Sequence, residues 1–429
     1  MLVYKFGGAS VKDADSIRNV SNIIKEHSNE SLLIVVSAMG KTTNALEKVV
    51  DQYFKDYTKS FEAFKGIVNI HHKEARALGI ADMDFLQAVN EIVVSAEWLL
   101  EIEPEDSYNY VYDQIVSLGE MLSSTLLSLY LKTLGVPVEW LDARDIVITS
   151  DTYREAKVDW KQTQLNIDSK VKPKLKEGRL FVTQGFIGSS SENNTTTLGR
   201  EGSDFSGAIF AYCLDADGLH IWKNVDGVLT GDPKIFENVL QIERMSYKEA
   251  IEMTYYGAKV IHPKTIKPLQ NKSIPLIVRS FINPESTGTK VSDTIIEKYP
   301  PVIVIEPDQA LIHISTTDFS FVAEEHLKDI FEFISTHRVK VNLMRNTAIS
   351  FTICVKQDQD KIEKLIADLE QNYAVELDEH LSLITIRHYS DEVIESMKSG
   401  RMILFEERLE SMIQMVVKDV PVMTIKSSI

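Results

Sequence analysis

The chain has 429 residues, 44% of them apolar, with 46 Lys and Arg against 63 Asp and Glu and a formal net charge of −17. At roughly 150 residues per domain the length suggests about three domains with ample core. The acidic balance argues against a general nucleic-acid binder, which needs surplus Lys and Arg facing phosphates.

The opening MLVYKFGG places a Lys and two Gly where a secretory signal would have a long apolar stretch. No window reaches ~18 uninterrupted apolar residues, so a soluble cytoplasmic chain without a membrane partner is expected. LVYKFG reads as a strand, Ile17, Val20, Ile23 and Ile24 as one helical face, and SLLIVVSAM as a parallel strand covered on both sides. Residues 42 to 134 read as a helical insertion before a strand at Pro137 to Leu141. RLFVTQGF is a strand, and the polar run SSSENNTTT at 189 to 197 is expected to be a mobile loop, since it cannot bury an apolar face. SDFSGAIFAYCLDA is a helix, LHIWKNV a strand, SYKEAIEMTYYGAKVIHPKTIKPLQ a helical pair broken at Pro263, and PLIVRSF a strand. An α/β domain with a mainly parallel sheet is therefore expected over about 1 to 285. Cys213 and Cys354 stand alone in apolar runs, as core thiols of a reducing compartment rather than parts of a disulfide framework or zinc site.

Pro300-Pro301 marks a boundary. Beyond it, strands and helical stripes between Leu311 and Ile386 follow the order βαββαβ, a ferredoxin-like unit. A helix and three strands after it, with VIVIE at 302 to 306, complete a second such unit interrupted by the first. The first module spans about 310 to 388, and the second joins 301 to 309 with 389 to 429.

Two glycine-containing turns carry the chemistry. Lys5-Phe6-Gly7-Gly8-Ala9-Ser10 ends the first strand just before a helix. Glycines there let backbone N–H groups close on an anion, and Lys5 can neutralise charge on a transferring phosphoryl group. The alternative is a plain tight turn; neither a Walker sequence nor a G-x-G-x-x-G fingerprint is present. Thr197-Leu198-Gly199-Arg200-Glu201-Gly202-Ser203-Asp204 leads into an apolar helix. Ser203 or Asp204 could cap that helix, whereas the planar fork of Arg200 suits a carboxylate.

Together with VSAMGKTTNAL at 36 to 46, SLGE at 117 to 120, IWKNVDGVLTGDP at 221 to 233 and YYGAKVIHP at 255 to 263, these motifs occur in order. The set resembles the aspartate kinases, of the amino acid kinase fold with two C-terminal ACT-type regulatory modules. The resemblance implies transfer of the ATP γ-phosphate to the side-chain carboxylate of L-aspartate, the first step toward lysine, threonine and methionine. Carried over by residue, Lys5 and Asp204 are catalytic, and Lys5, Gly7 and Gly8 cradle the phosphate. Ser37 and Thr43 line the aspartate pocket, Glu120 takes the ammonium, Arg200 takes the α-carboxylate, and Ser203 closes the site. Lys223, Asn224, Leu229, Lys234, Lys259 and Val260 hold the nucleotide, with Mg2+ mainly on its phosphates. A kinase for another acid, such as acetylglutamate, and a catalytically weak amino-acid sensor are the competing readings.

The chain departs from the family pattern at Ala9, Glu201, Asn224, Leu229 and Lys234. Glu201 would add negative charge beside an anionic substrate unless turned outward. The resemblance also implies a homodimer joined through the ACT region, with lysine as the favoured effector. The candidate effector residues are Asp318, Asn342 and Met344; Asp318 reads equally well as a helix cap. The uncharged β-rich stretch AISFTICV at 348 to 355 is an aggregation hazard unless its sheet is paired.

Overall fold

The computed structural model describes residues 1–28, 30–258, 261–317 and 321–419. Lys259, Val260, Asp318 and the strand-like segment 421–426 lie outside the described residues. The chain divides into two compact units. The first comprises Met1–Val228, Gln241–Thr254 and Lys259–Ile296; the second comprises Leu229–Leu240, Tyr255–Ala258 and Glu297–Ile429.

The first unit opens with β1 (Leu2–Phe6), α1 (Ala14–Glu26) and β2 (Leu32–Val36). Every residue of β2 is buried, as a continuous apolar run requires in a sheet covered on both faces. The α1 stripe Ile17, Val20, Ile23 and Ile24 is buried, and the Asp13 carboxylate caps the helix by accepting from the Ser16 N–H. The helical insertion is α2 (Thr42–Lys55), α3 (Ser60–Ala77), α4 (Asp82–Leu100), α5 (Tyr108–Val116) and α6 (Leu118–Thr133). Most of α6 is buried all round, which suits an apolar helix running through the core.

There follow β3 (Val138–Leu141), β4 (Ile148–Thr149), α7 (Trp160–Asn166), α8 (Lys172–Lys176), β5 (Leu180–Gln184), β6 (Ile187–Ser190) and β7 (Thr195–Thr197). Next come α9 (Gly202–Leu214), β8 (Gly218–Lys223), β9 (Arg244–Ser246), α10 (Tyr247–Tyr255), α11 (Pro263–Asn271), β10 (Leu276–Ser280) and β11 (Thr289–Ser292). The main sheet has the order β3-β5-β2-β1-β8-β10-β11-β9. It is parallel except where β10 meets β11. The central strand β1 pairs with β2 on one side and β8 on the other, so the strand order reverses there and a crevice opens at the carboxyl ends.

Of the run 189–197 only the tip, with 191–193 exposed, is a solvated loop; its two flanks are strands. It forms a hairpin of β6 and β7 whose strand residues are buried. Thr149 and Thr196 hydroxyls lie 2.6 Å apart, Ser189 Oγ donates to the Arg144 carbonyl at 2.6 Å, and Thr197 Oγ1 donates to Asp113 at 2.7 Å. A polar run is buried at low cost when its hydroxyls find acceptors, and those acceptors lie far away in sequence.

The second unit contains β12 (Val302–Thr316), α12 (Glu324–Thr336), β13 (Val341–Asn346), β14 (Ser350–Lys356), α13 (Gln359–Leu369) and β15 (Tyr373–Arg387). It continues through α14 (Asp391–Lys398), β16 (Arg401–Leu409) and β17 (Met412–Asp419). One antiparallel sheet has the order β13-β14-β12-β15-β17-β16. Gln309 to Thr316 of β12 serve one βαββαβ set, while Val302 to Glu306 pair with Leu383 to Arg387 of β15 beside β17 and β16. The register shifts between Glu306 and Leu311, where one set passes into the other. The stretch 348–355 is covered within the chain, since β14 lies between β13 and β12. Residues 229–240 belong here too: the Ile303 N–H donates to the Thr230 carbonyl at 2.8 Å, and Phe236 packs against the Ile384–Ile413 core. No helix of the described residues is long and apolar enough to cross a membrane.

Candidate active site

The carboxyl ends of β1, β2 and β8 bring the candidate residues together. Gly7 and Gly8 follow β1 directly, and Gly8 begins a short 3-10 turn ending at Val11. A Cβ on Gly8 would lie 2.6 Å from the Ala38 carbonyl oxygen and 3.1 Å from that of Gly40, so only glycine fits. The Gly40 N–H donates to the Gly8 carbonyl at 3.0 Å, tying the turn after β2 to the turn after β1. A Cβ on Gly7 would come 3.8 Å from Lys5 Nζ, which places the ammonium beside the glycine turn.

Lys5 is buried and forms a close ion pair with Asp204 in the first turn of α9. Gly207, farther along α9, brings the helix close to the sheet, since a Cβ there would lie 3.1 Å from the Leu219 side chain. Lys223, at the end of β8, reaches the other Asp204 oxygen at 3.1 Å. Burial pushes the Asp204 carboxyl up, but the charges of Lys5 and Lys223 outweigh it and hold the group down at about 2. Asp204 is thus a carboxylate between two ammonium groups and caps nothing. The residue preceding α9 is Glu201, at φ 56° and without a side-chain capping bond.

Glu120, in the first turn of α6, is 3% exposed, not a solvated helix carboxylate. Its Oε1 accepts from the Ala38 N–H at 3.2 Å, and its Oε2 has no partner. Burial pushes this carboxyl up to about 8, against the opposing pull of the Ala38 N–H and the Lys5 charge. An acid kept from ionising by want of a cation is a ready site for one. Ser37, following β2, lies 2.7 Å from Ser203 through the two hydroxyl oxygens. Thr43 is half-buried in the first turn of α2.

Arg200 is exposed on the loop before α9, and Glu201 beside it is exposed as well, so the extra carboxylate has open solvent to turn into. Asn224 is exposed just beyond β8. Leu229 and Lys234 belong to the second unit, whereas Lys223 and Asn224 belong to the first. In the second unit the Asn342 amide is taken by buried Gln309, at 2.8 Å, while Met344 is exposed.

Two further contributors lie outside the predicted site residues. Gly185 follows β5 as Gly7 follows β1, and a Cβ there would fall 2.0 Å from Ser203 Oγ. The Ala38 N–H orients Glu120. A glycine just past a buried strand was the available signal for the first; a backbone donor carries none.

A model of the amino acid kinase family matches residues 1–280. The chain belongs to that family. Over 396 residues this amino acid kinase is 28% identical to the lysine-sensitive aspartokinase 3 of Escherichia coli, covering 90% of this chain and 86% of the relative. Its fold is similar to that of E. coli aspartokinase III in complex with lysine and aspartate, at TM-score 0.83 and 27% identity, covering 97% and 95% of the two chains. For the same enzyme with aspartate and ADP the values are 0.80, 26%, 97% and 96%.

The glycine contact makes a direct prediction for this kinase. Gly8→Ala must push the β1 turn off the Ala38 carbonyl, and a shift near 1 Å at the reacting centre costs on the order of 10² in rate. We expect kcat to fall by about that factor with an unchanged circular dichroism spectrum; a variant within twofold of wild type would show that the turn is not the phosphate cradle.

Proposed function

We propose that the protein is an aspartate kinase, transferring the γ-phosphoryl group of ATP to the side-chain carboxylate of L-aspartate to give 4-phospho-L-aspartate and ADP. The observation that carries the reading is Glu120, a buried carboxyl with one unpartnered oxygen near Lys5. A free α-ammonium satisfies it; an N-acetylated acceptor brings no such cation, which weighs against acetylglutamate. Arg200 takes the α-carboxylate through a planar two-point contact. Ser37 and Ser203 hold the side-chain carboxylate near the Gly7–Gly8 turn. A carboxylate oxygen then forms the new bond to phosphorus as the bond to the ADP oxygen breaks.

Lys5 faces the charge that spreads over the phosphoryl oxygens, and Asp204 keeps Lys5 and Lys223 aimed. The glycine turn, which leaves room for an anion, and the two ammonium groups beside it fit a nucleoside triphosphate. Mg2+ carried on those phosphates supplies further charge neutralisation. The deciding assay traps the acyl phosphate with hydroxylamine. Hydroxamate should form with ATP and L-aspartate and not with N-acetylglutamate; the reverse preference would overturn the reading.

The second unit, with its shared ferredoxin-like sheet, suits an amino-acid effector, and we take lysine as the effector and a homodimer as the working form. The name and the lysine complex of the E. coli relatives support the first. Cutting the chain at Tyr299 would strip 229–240 of its partners, so the test uses the full chain. Sedimentation should give a dimer at micromolar concentration, and millimolar lysine should lower activity. A monomer would refute the assembly, and activity indifferent to lysine, with or without threonine, would refute the effector.

A further inference from the structure

Asp113, on α5, is a fully buried carboxylate outside the constellation described above. It accepts from the Thr197 N–H at 2.8 Å, from the Thr197 hydroxyl at 2.7 Å, and from the Arg154 N–H at 3.0 and 3.1 Å through its two oxygens. These bonds clamp together two chain segments distant in sequence, 152–156 and 195–199. The clamp is extended by the Ala156 N–H, which donates to the Thr197 carbonyl at 3.0 Å.

Just beyond the clamp the chain makes two left-handed steps, at Gly199 (φ 74°) and Glu201 (φ 56°), with Arg200 between them. Gly199 is pressed against the clamp, since a Cβ there would lie 2.9 Å from the Arg154 carbonyl oxygen. The Gly202 N–H then closes the turn onto the Gly199 carbonyl at 2.9 Å, at the start of α9. Arg200 itself is exposed, so its backbone decides where its guanidinium can reach.

The helix carrying Asp113 runs almost without interruption into the helix carrying Glu120. Between α5 and α6 stands only Ser117, itself in a helical conformation. Seven residues are two turns, about 10 Å along one face. One nearly continuous helix therefore bears Glu120 directly and, through Asp113, the loop that presents Arg200.

We propose that Asp113 is a positioning residue that sets the separation between the ammonium-binding Glu120 and the carboxylate-binding Arg200, and so selects an acceptor with both groups on one carbon. This rests on the aspartate kinase reading. A neutral amide would serve a purely structural turn at less desolvation cost, but its NH2 donors would face the N–H groups that the carboxylate now accepts from.

The test is a double-mutant cycle of Asp113→Asn and Arg200→Ala in the full-length enzyme, with KM measured separately for L-aspartate and ATP. Asp113→Asn should raise KM for aspartate tenfold or more and leave KM for ATP within twofold. In the Arg200→Ala background the same change should add less than twofold, because the residue it acts through is gone. It should also narrow the preference for L-aspartate over its α-carboxamide, as Arg200→Ala does. If Asp113→Asn does not fold, Thr197→Val removes one of the clamping bonds, with a severalfold rise and the same non-additivity expected. Fully additive effects, or an unchanged KM for aspartate, would overturn the positioning role. A wild-type enzyme that makes no acyl phosphate from aspartate would instead overturn the reading beneath it.

Discussion

Lys5→Met should lower kcat by on the order of 10² or more, because one preorganised donor facing transition-state charge is worth roughly 3 kcal/mol. Lys5 is buried against Asp204 and lies beside the Gly7–Gly8 turn, so its ammonium is fixed before the phosphoryl group arrives. The substitution also leaves Asp204 buried with one partner fewer, and breaking a buried pair is usually costly. Lys223 stays 3.1 Å from the second Asp204 oxygen and limits that cost. A moderate drop in melting temperature with a retained fold is therefore expected alongside the loss of turnover. Lys5→Met with kcat close to wild type would remove Lys5 from the chemistry, whatever happens to stability.

Glu120 gives the second large effect, read as a pH profile. In the free enzyme its carboxyl titrates near 8, above its ordinary 4.5, because burial disfavours the charge. Binding a substrate ammonium requires the ionised form. Below that titration kcat/KM for aspartate should rise roughly tenfold per pH unit, levelling off around pH 8, since this parameter reports free-enzyme ionisations. Glu120→Gln should flatten the profile and raise KM for aspartate well beyond any change in KM for ATP. Arg200→Ala should raise KM for aspartate while keeping the slope. A profile as steep in Glu120→Gln as in wild type would exclude Glu120 as the titrating group.

The same group fixes a sign for stability. With the folded value raised, the neutral acid's contribution is complete below about 4.5 and disappears as pH climbs to about 8. Thermal scans of the free enzyme should show wild type losing ground to Glu120→Gln across that window, with saturating aspartate narrowing the gap.

Much of the scaffold follows from local pattern. The β2 run LLIVV, the α1 stripe from Ile17 to Ile24, the apolar α6 and the βαββαβ rhythm after 310 are periodicities that neighbouring residues set among themselves. Gly8 was legible for the same reason: a glycine just past a strand announces a close backbone approach, even though the sequence does not say to what. Cys213 and Cys354, read as core thiols, are both buried, and burial pushes each thiol up to about 12.

Partners remote in the chain decided the rest. Asp204 could have been a helix cap until α9 packed on β1 and set it between Lys5 and Lys223. The serine- and threonine-rich run at 189–197 became a hairpin with buried strands because Asp113, Thr149 and Arg144 supply its hydrogen bonds from 45 to 84 residues away. Glu120 acquired its altered titration from what surrounds it, and the βαββαβ set came to share β12 and β15 with the strands β16 and β17 that follow it. Periodicity is a property of adjacent residues and survives without a fold. Desolvation, ion pairing and hydrogen-bond satisfaction depend on which distant groups arrive, and only the tertiary structure determines that.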